Sequence, residues 1–258
     1  MTALRSLVFA LLFYVNLVGH MVLFAPVVFF GRDEVVWWVT KSWARRSLWL
    51  LRVVTGTRAD FAGRENIPAG AALIAAKHQA FWEVFALVPE FDRPTFILKK
   101  ELMRIPLFGW YSRRLGMIPV DRDKRGAALQ SILVGAKAAV AEGRQIIIFP
   151  EGTRTAPGAE PDYKPGVHFL YSQLAVPLVP VALNSGVFWP RDSFHRRAGT
   201  VRVEFLPALP PGLDRHQMLR GLKGAIESRS NALLCAAYRE RADLPMTELV
   251  AARLAEES

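Results

Sequence analysis

The residues best suited to acid–base chemistry are a histidine and a carboxylate that follow a short apolar run. Residues 71–76 are apolar, and His78 and then, five residues later, Glu83 come after them. A carboxylate bonded to one imidazole nitrogen fixes the tautomer and stabilises the imidazolium, so that the other nitrogen can act as a base. Within one regular helix the two side chains would point about 140° apart. The pair therefore meets only if His78 precedes a helix and Glu83 lies in its first turns; the alternative is a surface histidine and a solvated glutamate.

Residues suited to binding an anion follow other apolar runs. Asp121 and Arg122 come after residues 117–120, and Glu151, Gly152, Thr153 and Arg154 come after residues 145–149. The region before Arg122 is rich in lysine and arginine. Arginine binds phosphate through paired hydrogen bonds, and glycine allows close approach of the backbone, so these residues are candidates for a phosphate site. The alternatives are a solvated basic face, contact with anionic lipid headgroups, and an ordinary polar turn.

The elements that must position these residues belong to an α/β fold. Apolar runs of strand length alternate with helical segments, which indicates a β-sheet flanked by helices on both faces. In such sheets, functional residues tend to lie in loops at the carboxyl ends of the strands. Two prolines in residues 176–181 predict an edge strand or an irregular one that shapes a wall of the site. The predicted strands are 71–76, 95–98, 117–120, 145–149, 178–183 and 201–205, and helices are predicted at 126–142, at 165–174 and from Asp214 onward.

The N-terminal segment has the composition of a membrane anchor. Residues 7–30 carry no charge over 24 positions, and about 20 apolar residues suffice to span a bilayer. Asn16, His20 and Pro26 leave a re-entrant or half-buried helix open. Residues 33–54 hold four of the seven tryptophans and a narrow charged stripe, which favours a helix at the membrane surface over one buried against the domain. We therefore predict a membrane-anchoring segment at 1–56 and an α/β domain at 57–258, on the cytoplasmic face by the positive-inside rule.

Composition excludes several classes of protein. The chain has 258 residues, 52% of them hydrophobic, and a formal net charge of +10. The apolar content excludes intrinsic disorder, and a single cysteine excludes a disulfide scaffold or a thiolate zinc cluster. The positive charge points to an anionic partner: nucleic acid, an anionic bilayer or a phosphorylated substrate. No nucleic-acid-binding pattern is present in the sequence, and the apolar N-terminus argues against nucleic acid.

The four strand-end segments, taken in order, resemble the motifs of the lysophospholipid and glycerol-phosphate acyltransferase family. The first motif is similar to His78–Glu83, the second to residues 116–122, the third to Phe149–Arg154, and the fourth to Val176–Val181. Residues 99–102 and 105–110 are similar to the family's link between its first two motifs, and the resemblance covers roughly residues 60–185. Glu83 stands where the family usually has Asp, and Lys77 stands where Asn is common.

The resemblance implies a fold, a reaction and roles for individual residues. It implies a mixed β-sheet flanked by helices and an acyltransferase of the 1-acylglycerol-3-phosphate type, which forms phosphatidic acid. His78 would be the general base for the free hydroxyl of the lysolipid, and Glu83 would orient it. The hydroxyl would attack an acyl thioester, carried either by coenzyme A or by an acyl carrier protein. No metal or cofactor is implied. The groups implied to bind substrate are Lys99, Arg122, Glu151, Gly152, Thr153 and Arg154.

Several alternatives stay open at this point. The motifs report the reaction more than the acceptor, so a lyso-ornithine lipid, a lysoglycolipid or glycerol-3-phosphate could replace the phosphate-bearing lysolipid. A catalytically idle membrane scaffold is a hypothesis of a different class, and the retained His78 and the Phe149–Arg154 segment argue against it. Donor type, acyl length and oligomeric state are not encoded in any recognisable motif.

Overall fold

A seven-stranded mixed β-sheet forms the centre of the protein. The computed structural model describes residues 2–121 and 125–256. Within these residues the strand order is β1-β7-β6-β2-β5-β3-β4, and every neighbouring pair is parallel except β6 and β7, which are antiparallel. The strands are β1 (Thr57–Ala62), β2 (Ala72–Ala76), β3 (Thr95–Lys99), β4 (Ile118–Val120), β5 (Gln145–Ile148), β6 (Leu178–Leu183) and β7 (Gly199–Phe205). The predicted α/β fold with a mixed sheet is confirmed.

Helices cover both faces of the sheet. They are α1 (Thr2–Leu23), α2 (Ala25–Phe30), α3 (Asp33–Thr55), α4 (Trp82–Ala86), α5 (Phe108–Arg114), α6 (Arg125–Ala141), α7 (Pro165–Leu174), α8 (Ser185–Phe188), α9 (Arg215–Glu240) and α10 (Glu248–Glu256). Short 3₁₀ turns lie at Arg64–Asn66, Val88–Glu90 and Lys100–Arg104. Gly143, with φ +69°, follows the end of α6 as expected from the sequence. Asp214 caps α9 through a reciprocal capping box with Gln217.

The apolar runs become strands because they are buried on both faces. All five residues of β2 and all six of β6 are buried, and each strand lies between two neighbours. Two apolar clusters sandwich the sheet, one built mainly on α1, α3 and α4 and the other on α6, α7 and α9. β6 lies inside the sheet, so the edge position that its two prolines suggested is wrong. Its pairing with β7 covers only Val181–Leu183, directly after Pro180, which has no N–H to donate.

The N-terminal helices pack against the domain on one side and expose apolar side chains on the other. α1 is long and apolar enough to cross a membrane, yet a third of its most apolar 18-residue window is buried within the protein. Phe9 and Phe13 of α1 join the core, whereas Leu4, Leu7 and Leu11 are exposed. In α3, Trp37 is buried and both Trp38 and Trp49 are exposed. The uncharged segment breaks between α1 and α2, where Pro26 lies in the first turn of α2.

The register of the parallel strands places the candidate residues along one edge. Ala75 in β2 is level with Ile148 in β5 and with Pro180 in β6. Phe96 in β3 is level with Ile147, and Lys99 is level with Val120 in β4. The loops that follow β2, β3, β4, β5 and β6 therefore all leave from the carboxyl edge of the sheet, where ligand sites of α/β proteins lie.

Candidate active site

His78 and Glu83 face each other at the carboxyl edge of the sheet. His78 lies in the loop after β2, and Glu83 is the second residue of α4. This is the arrangement that the five-residue spacing requires if the two side chains are to meet. The distance from His78 Nδ1 to Glu83 Oε2 is 3.6 Å, and Glu83 is fully buried. Nδ1 is itself buried and has no hydrogen-bond partner at normal length among the described residues, so a small closure of this gap would complete the pair.

The Glu83 carboxylate is held by three neighbouring donors. The backbone N–H groups of Gln79 and Ala80 donate to Oε1 at 3.0 and 2.9 Å, and that of Ala80 also reaches Oε2 at 3.0 Å. The hydroxyl of Ser185, at the start of α8, donates to Oε1 as well. Hydrogen bonds to the ionised form stabilise a buried carboxylate. The orientation of Glu83 toward His78 is therefore fixed by the loop around it and by a side chain that follows the end of β6.

The loop after β5 holds the backbone of His78. Glu151 Oε2 accepts a hydrogen bond from the His78 N–H at 2.9 Å, and the Thr155 N–H donates to the His78 carbonyl at 2.8 Å. The ring of Phe149 stacks on the imidazole, with centroids 4.0 Å apart and planes 17° apart. These contacts fix the imidazole in place, and the side chain keeps 15% of its surface exposed. Nδ1 faces Glu83, which leaves Nε2 as the nitrogen that can meet a substrate.

The predicted binding residues divide into buried and exposed groups. Glu151 is 1% exposed, and protein groups contact both of its oxygens, so its direct contact with a substrate stays a prediction. Gly152 adopts φ +67°, a conformation that glycine permits, and a Cβ there would lie 3.3 Å from Lys164 Cγ. Thr153 is exposed, and Arg154 is half-buried beside it. These residues form the turn that leads away from the edge beside His78.

Two cations near this edge have no carboxylate partner among the described residues. Among residues 2–121 and 125–256, no ion pair involves Lys99 at the end of β3 or Arg154 after β5. Lys100 does have a partner, Asp121, with Nζ and Oδ2 3.3 Å apart. The predicted binding residue Arg122 lies outside the described residues. Cations without a paired carboxylate, on the sheet edge that also carries His78, are suited to an anionic substrate.

Aromatic side chains, one of them from α1, line the site on the side next to α4. The ring of Phe81, three residues after His78, lies 6.2 Å from that of Phe13 in α1 and 6.5 Å from that of Trp189. The Arg196 guanidinium lies 3.9 Å from the centre of the Trp189 ring. Burial lowers the pKa of Arg196 to about 10. The helix predicted to contact lipid therefore packs directly on the segment that carries the candidate base.

Sequence reasoning missed several residues of this site. Ser185 and Phe149 contact the candidate pair, and no role for either was predicted, although Phe149 begins the Phe149–Arg154 motif. Lys77 was noted only as a departure from the family pattern, yet its Nζ lies 2.8 Å from Glu151 and 2.7 Å from Glu227 of α9. Burial, followed by the charge of Glu227, raises the pKa of the Tyr163 hydroxyl, which donates to that carboxylate at 2.8 Å. No sequence signal links Lys77 to a residue so far along the chain.

The chain is similar to proteins named as acyltransferases. A family model described as Acyltransferase matches residues 58–184. A relative from Pseudomonas aeruginosa named 1-acyl-sn-glycerol-3-phosphate acyltransferase is 36% identical over 171 residues, which are 66% of this chain and 66% of the relative. A relative of the same name from Saccharomyces cerevisiae is 28% identical over 158 residues, 60% of this chain and 51% of the relative. The chain thus spans about two thirds of the bacterial relative and about half of the yeast one.

A solved structure has the same fold. The crystal structure of the 1-acyl-sn-glycerophosphate acyltransferase from Thermotoga maritima superimposes with a TM-score of 0.75 at 22% identity. The match covers 90% of this chain and 98% of that one. Because the match covers nearly the whole of this chain, it includes part of the N-terminal helical segment as well as the sheet.

Proposed function

The chain belongs to the acyltransferase family, and we propose that it transfers an acyl chain from a thioester to the free hydroxyl of 1-acylglycerol-3-phosphate, forming phosphatidic acid. The observation that carries the proposal is His78 Nδ1 facing the buried carboxylate of Glu83 at 3.6 Å, at a sheet edge that also carries Lys99. The names of the relatives support this acceptor. The donor in this proposal is acyl-CoA or an acyl-loaded acyl carrier protein.

The reaction is a direct transfer between two substrates. His78 Nε2 takes the proton of the lysolipid hydroxyl as the oxygen attacks the thioester carbonyl, and the C–S bond then breaks. The departing thiolate takes up the proton from the imidazolium, so the base is restored and no acyl-enzyme forms. Glu83 stabilises the imidazolium between the two steps. An alcohol is a weak nucleophile near neutral pH, so the rate depends on this oriented base.

The anionic headgroup binds at the basic part of the edge. Arg154 and Lys99 supply positive charge without competing carboxylates among the described residues, and the exposed Thr153 hydroxyl adds a donor. Arg122 follows β4 in the sequence and belongs to the same predicted set. Guanidinium groups bind phosphate oxygens in pairs, which selects a phosphate-bearing acceptor over a neutral lysoglycolipid.

The protein works at a membrane surface. The exposed apolar side chains of α1 and the exposed tryptophans of α3 rest in the lipid, and the sheet domain lies on the cytoplasmic side, where acyl thioesters are made. Both substrates carry long acyl chains, so the active site opens next to the lipid that holds them.

The test is an acyl-transfer assay with the whole chain in detergent. A labelled acyl thioester is supplied with 1-acylglycerol-3-phosphate, and phosphatidic acid is measured for wild type and for His78→Ala. We expect product from wild type and a loss of at least about 10²-fold in the variant, the usual contribution of a general base. Absence of wild-type product would refute this acceptor, and acylation of a different lysolipid through His78 would then identify another. A variant as active as wild type would refute the mechanism.

A further inference from the structure

Lys77 is a buried lysine placed directly before the candidate base. It is 3% exposed, and its backbone N–H donates to the Val181 carbonyl of β6 at 3.0 Å. Its Nζ contacts Glu151 Oε1 at 2.8 Å and the two carboxylate oxygens of Glu227 at 2.9 and 2.7 Å. The ammonium group therefore forms ion pairs with both carboxylates, and its two contacts with Glu227 are hydrogen bonds. The side chain faces inward and is fully engaged by protein groups.

Glu151 connects this lysine to the base. Its Oε1 receives Lys77 and the Thr155 hydroxyl, the latter at 2.7 Å, and its Oε2 receives the His78 N–H at 2.9 Å. The carboxylate is 1% exposed, so water contributes little to its solvation. A buried carboxylate of this kind keeps its charge and its place only when it is paired.

Lys77 contacts two carboxylates that come from distant segments of the chain. Glu151 comes from the loop after β5 and Glu227 from α9, and both carboxylates face the same ammonium. The Tyr163 hydroxyl donates to Glu227 and adds no positive charge. Without the lysine, two carboxylates would face an empty position, and Glu151 would turn away from its present place. That change weakens the contact that fixes the His78 backbone.

We propose that Lys77 is a positioning residue for the acyl transfer, acting through Glu151 to hold His78 in its reactive place. The proposal rests on the proposed function, because it assumes that His78 is the base. Lys77 does not touch the substrate, so it affects the chemical step and leaves substrate affinity alone. Its contribution depends on the negative charge of Glu151.

A double-mutant cycle tests this dependence. The single variants Lys77→Met and Glu151→Gln and the double variant are assayed as the full chain with 1-acylglycerol-3-phosphate and a saturating acyl thioester. We expect Lys77→Met to lower kcat by about 50-fold with both KM values within about twofold of wild type. In the Glu151→Gln variant the neutral amide needs no counter-ion, and its carbonyl still accepts from His78. The double variant should therefore be at least about fivefold more active than Lys77→Met alone.

Matched controls separate this role from a general loss of folding. Lys137→Met makes the same change on the exposed face of α6 and should leave kcat unaltered. Thermal unfolding of each variant supplies a second readout: if Lys77→Met fails to fold, the added Glu151→Gln change should restore folding. The proposal would be overturned if the kcat losses of the two single variants simply multiply in the double variant, or if a raised KM is the main defect. It would also be overturned if the double variant melts as low as Lys77→Met. A wild-type protein that makes no phosphatidic acid would instead refute the proposed function.

Discussion

The substitution Glu83→Gln tests the orientation of His78 most directly, because it removes a charge while keeping the shape of the side chain. Oε1 of Glu83 accepts from the Gln79 N–H, the Ala80 N–H and the Ser185 hydroxyl. The carbonyl oxygen of a glutamine would keep that position, because three donors converge on it. Its NH₂ group would then take the position of Oε2, which faces His78 Nδ1 at 3.6 Å.

The consequence is a change in the tautomer of the His78 imidazole. An NH₂ group donates, so Nδ1 would become the acceptor and the ring proton would move to Nε2. A base that carries its proton on the substrate-facing nitrogen cannot take another from the hydroxyl. The NH₂ group would also meet the Ala80 N–H, which now reaches Oε2 at 3.0 Å. From the wrong tautomer and the lost imidazolium stabilisation we expect kcat to fall by about 10³-fold, or about 4 kcal/mol.

The assay is the initial rate of phosphatidic acid formation at saturating donor and acceptor. Glu65→Gln is the matched control, since Glu65 is exposed and has no ion pair among the described residues. Thermal unfolding establishes that the Glu83→Gln variant is folded under the assay conditions. A folded Glu83→Gln variant with kcat within about threefold of wild type would refute the assignment of Glu83 as the orienting carboxylate.

Three further substitutions probe the surroundings of the pair. Gly152→Ala puts a Cβ on a residue with φ +67°, 3.3 Å from Lys164 Cγ. We expect the free energy of unfolding to drop by about 1–2 kcal/mol, and an unchanged urea midpoint would show that the backbone is not strained. Ser185→Ala removes one hydrogen-bond donor from Glu83, so we expect the free energy of unfolding, measured in urea, to fall by about 1.5–3 kcal/mol. A variant as stable as wild type would contradict this expectation. Arg154→Ala should raise the KM for 1-acylglycerol-3-phosphate at least about tenfold while the donor KM holds. Equal rises in both KM values would contradict a role of Arg154 in binding the headgroup of the acceptor.

The fold was predictable where burial and periodicity agree. β2 and β5 are apolar on both faces, so their sequences alone indicate buried strands, whereas the prolines of residues 176–181 suggested an edge position that β6 does not have. β1 was not predicted, because Thr57 is the only fully buried residue of this edge strand and Phe61 is its only half-buried one. The uncharged N-terminal run indicates lipid contact, but it contains no signal for the burial of Phe9 and Phe13 against the domain.

The candidate site was predictable only as far as its local motifs reach. The spacing of His78 and Glu83 is informative because both lie in one loop and the helix that follows. Ser185 and Lys77 act through partners from distant segments: Ser185 lies 102 residues from Glu83, and Lys77 lies 150 residues from Glu227. Such pairings depend on which loops the strand order brings together, and local residue patterns do not encode that order.

The pairing of β1 with β7 also determines the order in which the chain can acquire its structure. In total, 140 residues separate Thr57 from Arg197, whose carbonyl accepts the Thr57 hydroxyl next to this strand pair. A contact of that range must close a long loop, which slows folding. During synthesis, α1 and α3 emerge long before β7 exists, so these helices are complete while the sheet is still partial. Among the described strands β1 pairs only with β7, so it joins the sheet only after β7 has been made.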